Sequence, residues 1–406
     1  MQNKKLYKLA IIAPTPLYYH VPLYRRLESS SEIDLTVYYC SDEAIHGTDI
    51  ERMYETKKNT VDKINLLRGY HYMFLKNYSL NPSCLNWPFG LMNFGIWNDI
   101  KSGKYDGVVL QSWTNLTWWI AFFACLRYKT PVLFMTDANV AAESSKSKFK
   151  IFLKKIILGN FLFENASGFL TSGTTNEELY KYYGVPPEKM VRVYFSWGYE
   201  YFLEKAKQLN PKRDGIRKSL GIEKNDFVIL YVGRLSKEKM PMLLLEAYRK
   251  IKNGNKKLFI VGDGPMRKEF EQCINNLSIK NVILTGFQPR EKLGDFYVAA
   301  DVLVLPSEFE TWGIVINEAM CFSLPVITSE RVGASVDLIK NGYNGFIFSV
   351  GNADQFSEAI EKIMNLPKEG RQLFGQRSFD IINKWLSEAD PIMRILNLLN
   401  TIKNEK

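Results

Sequence analysis

The feature that most constrains this chain is a rhythm. Short, uninterrupted apolar runs recur along its length, each closed by Gly, Pro or Ser and followed by a helix-period pattern. In the C-terminal half they are "FVILYVG" (227–233), "KLFIVGDG" (257–264), "NVILTGF" (281–287), "DVLVLPS" (301–307), "LPVITS" (324–329) and "GFIFSV" (345–350). A strand with one wet face alternates apolar and polar residues. A continuous apolar run belongs to a strand covered on both faces, and its alternation with helices makes the sheet parallel. The N-terminal half repeats the rhythm less cleanly: "KLAIIAP" (8–14), "DLTVYYC" (34–40), "YHYMFLK" (70–76), "DGVVLQS" (106–112), "PVLFMT" (131–136), "GFLTSG" (168–173) and "VRVYFS" (191–196). At 406 residues the chain is too long for one ordinary core. The reading is therefore α/β, with two doubly wound, Rossmann-like domains in series. The charged, apolar-poor stretch 200–226 reads as a linker. In open α/β sheets ligands bind beyond the carboxyl ends of the strands. Two such domains facing each other would enclose an inter-domain cleft.

Bulk properties limit the partners without choosing one. The net charge of +10 suits a phosphate-rich ligand, a nucleic acid or an anionic membrane surface. No known motif orders the dispersed lysines, so no nucleic-acid partner is expected. Five cysteines (Cys40, Cys84, Cys125, Cys273, Cys321) are odd in number and form no CxxC. They read as buried free thiols of a reducing compartment. His20, His46 and His71 are the only histidines, too few for a zinc site built on His and Cys. The N-terminal "MQNKKLYKLAIIAPTP" runs into two prolines without a small-residue cleavage site and reads as a first strand. The segment "LTWWIAFFACL" is too short to span a bilayer. A cytoplasmic protein follows, with peripheral contact to a membrane left open.

Four features of the C-terminal half lie just after a strand. In "VGRLSKEKMPMLLLEAY", Gly233 ends a strand and Arg234 and Lys239 follow. Two cations in a turn can clamp a diphosphate, and positive charge at a helix start opposes the dipole unless an anion sits there. Ordinary surface cations would look the same. "VGDGPMRKEF" opens a helix straight from a strand; turn chemistry explains it, and it is not the GxGxxG of a dinucleotide site. "TGFQPREKL" offers Phe287 as an edge for a nucleobase, although a plain strand–loop–helix junction suits it too. The fourth is "EFETWGIVINEAM", with Glu310 and Glu318 eight positions apart around Gly313. In one helix those acids would point about 80° apart. With a helix starting near Trp312 or Gly313, Glu310 lies in a loop and Glu318 in the helix. They can then grip two separated points of an extended ligand, while the Gly313 and Ile314 amides hold an anion between them. A sugar–diphosphate–ribose has that layout. Glu310 as a dipole partner and Glu318 as a solvated helix residue is the plainer alternative.

Taken in series, "VGRLSKEKMP", "IVGDGP", "TGFQPREKL", "ADVLVLPSEFETWGIVINEAMCFSLPVITS" and "NGYNGFIF" resemble the donor-binding domain of family 4 glycosyltransferases of the GT-B fold, over roughly 225–365. The resemblance implies that Arg234 and Lys239 contact the donor diphosphate and stabilise the leaving nucleotide. It implies that Glu310 holds sugar hydroxyls, that Glu318 holds ribose hydroxyls, and that the amides of Trp312, Gly313 and Ile314 lie against sugar and phosphate. It further implies retention of anomeric configuration, no cofactor and no metal, the cationic clamp doing electrostatically what a metal would do. Arg234, Lys239 and Glu310 are then the catalytic candidates.

The N-terminal half resembles the family only loosely. "IIAPTPLYYHVPLYRRL" is similar to its first strand, loop and helix, with Pro14 and Pro16 where a glycine pair is common. His20 is a candidate contact to acceptor or diphosphate, or a structural histidine. Where many members carry a histidine after the fifth strand, "PVLFMTDANVAAES" sets Asp137. Asp137, Asn139 and Glu143 are candidates for ordering the acceptor or the sugar. The donor phosphate can serve as the base of a retaining transfer, so positioning would dominate. "SKSKFKIFLKKIILGNFLF" (145–163) mixes five lysines with apolar residues; Phe149, Phe152, Leu153 and Ile156 share a face that Ile151 and Leu158 do not. It suits a helix lying on anionic lipid or a domain helix with a solvated lysine face. A long helical tail is expected over 377–397, and the resemblance implies that the C-terminal helix crosses back onto the N-terminal domain. The domain reading is 1–205 for the acceptor side with 380–406 returning to it, and 206–379 for the donor side.

The function expected is a retaining glycosyltransferase moving a sugar from a nucleotide-sugar to a glycan or lipid-linked acceptor, in polysaccharide or lipopolysaccharide assembly. A nucleotide-sugar 2-epimerase shares the fold, but the Glu310/Glu318 context argues against it. A nucleotide-sugar-binding partner subunit without activity is the non-enzymatic alternative.

Overall fold

The apolar runs form two wholly parallel sheets in the computed structural model, which describes residues 6–46, 66–140, 148–193, 199–252 and 254–404. The chain divides into two compact units, Met1–Trp197 with Glu388–Lys406, and Gly198–Ser387. The first holds seven strands: β1 (Tyr7–Ala13), β2 (Ile33–Tyr39), β3 (Tyr72–Phe74), β4 (Gly107–Leu110), β5 (Val132–Met135), β6 (Gly168–Thr171) and β7 (Met190–Arg192), in spatial order β3-β2-β1-β4-β5-β6-β7. The second holds six: β8 (Phe227–Val232), β9 (Lys256–Val261), β10 (Val282–Gly286), β11 (Val302–Leu305), β12 (Val326–Ser329) and β13 (Gly345–Phe348), in order β10-β9-β8-β11-β12-β13. Every strand expected from the sequence is present. Strands β4, β5, β6, β8, β11 and β12 are buried at every position, as runs without polar alternation require.

In both sheets the strand order reverses beside the first strand, between β1 and β4 and between β8 and β11. At such a point the two loops leaving the strands run to opposite faces and open a crevice. This topology fixes where a site can lie in each unit.

The stretch 200–226 is not a linker. It forms helices Tyr199–Leu209 and Arg213–Ser219. Tyr199, Phe202 and Ala206 form a buried stripe, and the Phe202 ring lies 6.0 Å from Tyr297. Asp301, at the amino end of β11, accepts from Arg213 Nη2 at 2.8 Å, Arg217 Nη1 at 3.2 Å and the Val228 amide at 2.8 Å. The charges that suggested exposure are therefore pairing charges, and they bind the helices to the C-terminal unit.

The expected single tail is two helices, Lys368–Glu388 and Pro391–Asn404. Pro391 cannot continue a helix but starts one well. Asp390 Oδ1 accepts from the Ile392 and Met393 amides, and its Oδ2 accepts from Arg26 at 2.8 Å. The last helix packs on the N-terminal sheet so closely that a Cβ on Gly107 would lie 2.9 Å from Leu399. All five cysteines are free thiols; Cys40, Cys125 and Cys321 are buried as expected, whereas Cys84 and Cys273 are partly exposed. Residues 148–163 are helical, but Lys155–Phe163 winds as a π-helix that no periodicity announced.

Candidate active site

The crevice between β8 and β11 collects the first and fourth sequence features. Gly233 and Arg234 leave β8, and a 3₁₀ turn at Lys237–Lys239 leads through left-handed Met240 into helix Pro241–Lys250. Ser307 to Gly313 leave β11 and enter helix Ile314–Cys321. Lys239 forms an ion pair with Glu310, and both side chains are about one-fifth exposed. The Glu308 amide donates to the Glu238 carbonyl at 2.8 Å, tying one loop to the other. Tyr231, buried beneath them, donates from its hydroxyl to the Arg234 carbonyl at 2.8 Å.

The loop carrying Glu310 is fixed from its other side as well. Glu310 bridges Val332, the Gly333 amide donates to the Glu310 carbonyl at 3.1 Å, and the Ala334 amide to the Trp312 carbonyl at 2.8 Å. Gly313 has φ +96°, and a Cβ there would lie 2.8 Å from Val332 Cγ1. A glycine is therefore required by both conformation and space. The helix starts one residue after Gly313, which leaves Glu310 in the loop and Glu318 in the helix.

Glu318 is buried, and its Oε2 accepts from the Tyr297 hydroxyl at 2.6 Å. Burial pushes its carboxyl up to about 7, against the bond from Tyr297 and the attraction of Arg290. The solvated alternative is thus excluded. Trp312 turns its indole into the protein: Nε1 donates to Asn317 Oδ1 at 2.8 Å and the ring lies 5.5 Å from Trp385. Phe287 follows β10 at the edge of the sheet, two strands from β8, and is 43% exposed.

The glycines of "VGDGP" have a structural reason. A Cβ on Gly262 would meet the Gly233 carbonyl oxygen at 1.9 Å. The loop after β9 thus supports the backbone of the loop after β8.

In the N-terminal unit His20 precedes helix Val21–Glu28, beyond β1. Its ring packs 4.5 Å from Tyr19 and 6.2 Å from Tyr24, with Nδ1 enclosed. Burial lowers its pKa to about 3, so the imidazole is neutral at physiological pH. Asp137 and buried Asn139 follow β5. Strands β1 and β5 are separated by β4, so their ends lie about 10 Å apart. Glu143 lies outside the described residues. Sequence reasoning missed Gln111, on the other side of the β1/β4 crevice. Its Oε1 accepts from the Tyr24 hydroxyl at 3.1 Å, while its Nε2 is buried with no partner among the described residues. Its position after β4 was the available signal. Among the described residues no group of three His, Cys, Asp or Glu is arranged to hold a metal ion.

Residues 212–378 match the family model of Glycosyl transferases group 1. An uncharacterized glycosyltransferase of Methanocaldococcus jannaschii is 30% identical over 208 residues, 50% of this chain and 52% of the relative. The UDP-Gal:alpha-D-GlcNAc-diphosphoundecaprenol alpha-1,3-galactosyltransferase of Escherichia coli is 31% identical over 194 residues, 45% of this chain and 49% of the relative. The chain thus spans about half the length of these curated relatives. Among solved structures, Anabaena HepE in complex with UDP is similar over 98% of this chain and 99% of its own, with TM-score 0.70 and 16% identity. The two parallel sheets are those of GT-B glycosyltransferase structures.

Proposed function

We propose that the protein is a retaining glycosyltransferase that moves a sugar from a nucleotide-sugar to a glycan or lipid-linked acceptor during cell-surface polysaccharide or lipopolysaccharide assembly. The observation that carries this reading is the crevice between β8 and β11, where the Lys239–Glu310 pair and buried Glu318 lie on loops and a helix that meet. It is supported by the group 1 match over that unit and by relatives named for sugar transfer. HepE, of the same fold, has been crystallised with UDP-glucose as well as with UDP.

In this reading the diphosphate competes for Lys239 and Arg234, and the sugar hydroxyls take over Glu310. Two cations fixed beside the departing phosphate stabilise the charge that develops as the glycosidic bond breaks. They would do so without a metal. Glu318 keeps Oε2 on Tyr297 and offers Oε1 to the ribose hydroxyls. A donor phosphate oxygen takes the acceptor proton, so the protein contributes position rather than a base. Neutral His20, Gln111 and Asp137 line the carboxyl edge of the acceptor sheet, where they order acceptor hydroxyls. The protein works at the cytoplasmic face of the membrane, against which its acceptor side rests.

A thermal-shift panel of UDP-, GDP-, ADP- and dTDP-sugars, with and without EDTA, tests the donor site. Ligand bound only to the native state raises its melting temperature by mass action. One nucleotide family is expected to shift it, indifferent to EDTA, and Glu318→Ala to abolish the shift. A flat panel, or a shift that survives Glu318→Ala, would refute the assignment.

A further inference from the structure

The loop that follows β3 carries a surface that the donor chemistry does not use. From Asn77 to Gly95 it holds no charged residue. Two charges border it, and both are engaged. The Lys76 ammonium lies 4.9 Å from the centre of the Tyr78 ring, and Glu43 Oε2 accepts from the Cys84 amide at 3.4 Å.

The loop is fixed from within. Buried Asn93 donates to the Cys40 and Leu75 carbonyls at 3.0 and 3.1 Å and accepts from the Thr117 hydroxyl at 2.8 Å. Asn77 donates to the Gly90 carbonyl and accepts from the Met92 amide, both at 2.9 Å. The Ser83 amide donates to the Gly90 carbonyl at 3.2 Å, which closes the turn that carries residues 84–89. Neighbouring loops brace it as well. The Leu116 amide, beyond β4, donates to the Pro88 carbonyl at 3.0 Å, and the Ala44 amide, beyond β2, donates to the Thr15 hydroxyl, beyond β1, at 3.1 Å. The platform therefore continues the sheet edge that carries His20 and Gln111.

At the tip of this braced turn Leu85 is 56%, Trp87 70% and Phe89 61% exposed. Large apolar side chains grouped in water on a fixed frame mark an interaction site. Polar groups with spare capacity flank them. Asn86 Nδ2 donates to the Asn81 carbonyl at 3.1 Å. Asn86 Oδ1, the Asn81 side-chain amide and Trp87 Nε1 have no partner among the described residues.

A pyranose has the complementary surface: a face of C–H bonds that packs on an aromatic ring, and a rim of hydroxyls that takes both donors and acceptors. A diphosphate would call for cations, and this segment has none. A lipid leaflet would draw the amides of Asn81 and Asn86 in beside the rings and deprive them of water. We propose that this platform is a further acceptor subsite, which binds a neutral pyranose lying away from the hydroxyl that receives the transferred sugar. The acceptor is then an oligosaccharide rather than a single sugar. Because the frame is already fixed, little ordering is lost on binding. The inference deepens the proposed function and rests on it for the transfer itself. Donor binding is measured separately and the test below needs no turnover, so the two can fail independently.

Saturation-transfer NMR of the full chain with the methyl glycosides of glucose, galactose, mannose, N-acetylglucosamine and rhamnose tests this. Saturating the protein's aromatic protons is expected to transfer magnetisation to the ring C–H protons of at least one glycoside. Trp87→Ala with Phe89→Ala is expected to weaken that glycoside about tenfold, as loss of a stacking anchor should, whereas Trp87→Phe keeps most of the binding. An unchanged melting temperature and an unchanged nucleotide-sugar shift show that these variants are folded. No transfer to any glycoside, or transfer unchanged in the double variant, would overturn the proposal. So would transfer that Glu310→Gln abolishes, since that places the sugar in the donor crevice. A wild-type dimer in sedimentation velocity, or partitioning onto phosphatidylcholine vesicles, that the double variant abolishes would assign the platform to a protein or lipid partner and overturn it too.

Discussion

Glu318 holds its proton more tightly in the folded chain than in the unfolded one, with a pKa raised from 4.5 to about 7 by burial. Between those values the native state binds more protons, so stability falls as pH rises through the window, by about 3 kcal/mol. Glu318→Gln is expected to flatten that slope and to be more stable than wild type at alkaline pH. Urea unfolding on both sides of the window checks this; equal slopes would refute it. Gly313→Ala forces an unfavourable φ and a 2.8 Å contact with Val332, and should cost about 1–3 kcal/mol in the same assay. The division of Glu310 and Glu318 between loop and helix was legible because Gly313 punctuates the sequence. Tyr297 was not, since its bond to Glu318 spans 21 positions and no local pattern carries it.

Among elements, the strands were legible because burial on both faces leaves uninterrupted apolar runs, and β8, β11 and β12 show this plainly. The helices over 199–219 were not. Their charged residues look solvated until Asp301 is seen beneath Arg213 and Arg217. Asp301→Asn leaves a buried guanidinium uncompensated and is expected to cost about 3 kcal/mol, whereas Asp301→Asn with Arg217→Met should cost less than the sum of the two single changes. Additive losses in chemical unfolding would show that the pair does not hold the helices. Sequence charge also could not say that 148–163 changes from α to π winding, because both keep similar residues on one side.

At the scale of the whole molecule, each unit's stability responds to pH through a different buried group. His20, lowered to about 3 by burial, leaves the unfolded chain binding more protons between pH 3 and 6.5. The N-terminal unit therefore loses stability as pH falls through that window, while the C-terminal unit gains it through Glu318. Calorimetric scans are expected to show two transitions that move in opposite directions between about pH 5 and pH 7, with His20→Asn holding the first still. Parallel movement would contradict this. The two-unit design was legible from length and rhythm. The return of the last helix to the first unit came only from resemblance, because no local property of 391–404 names the sheet it packs on.

The central claim is that the loops after β8 and β11 divide one sugar nucleotide between them, Lys239 taking its diphosphate and Glu310 its sugar. Calorimetric titration with the sugar nucleotide chosen by the thermal-shift panel, and with its parent nucleoside diphosphate, tests this most directly. Lys239→Met is expected to weaken both ligands about tenfold or more, as loss of a charge-assisted bond should. Glu310→Gln is expected to weaken the sugar nucleotide alone. Binding of both ligands unchanged in both variants would contradict the account.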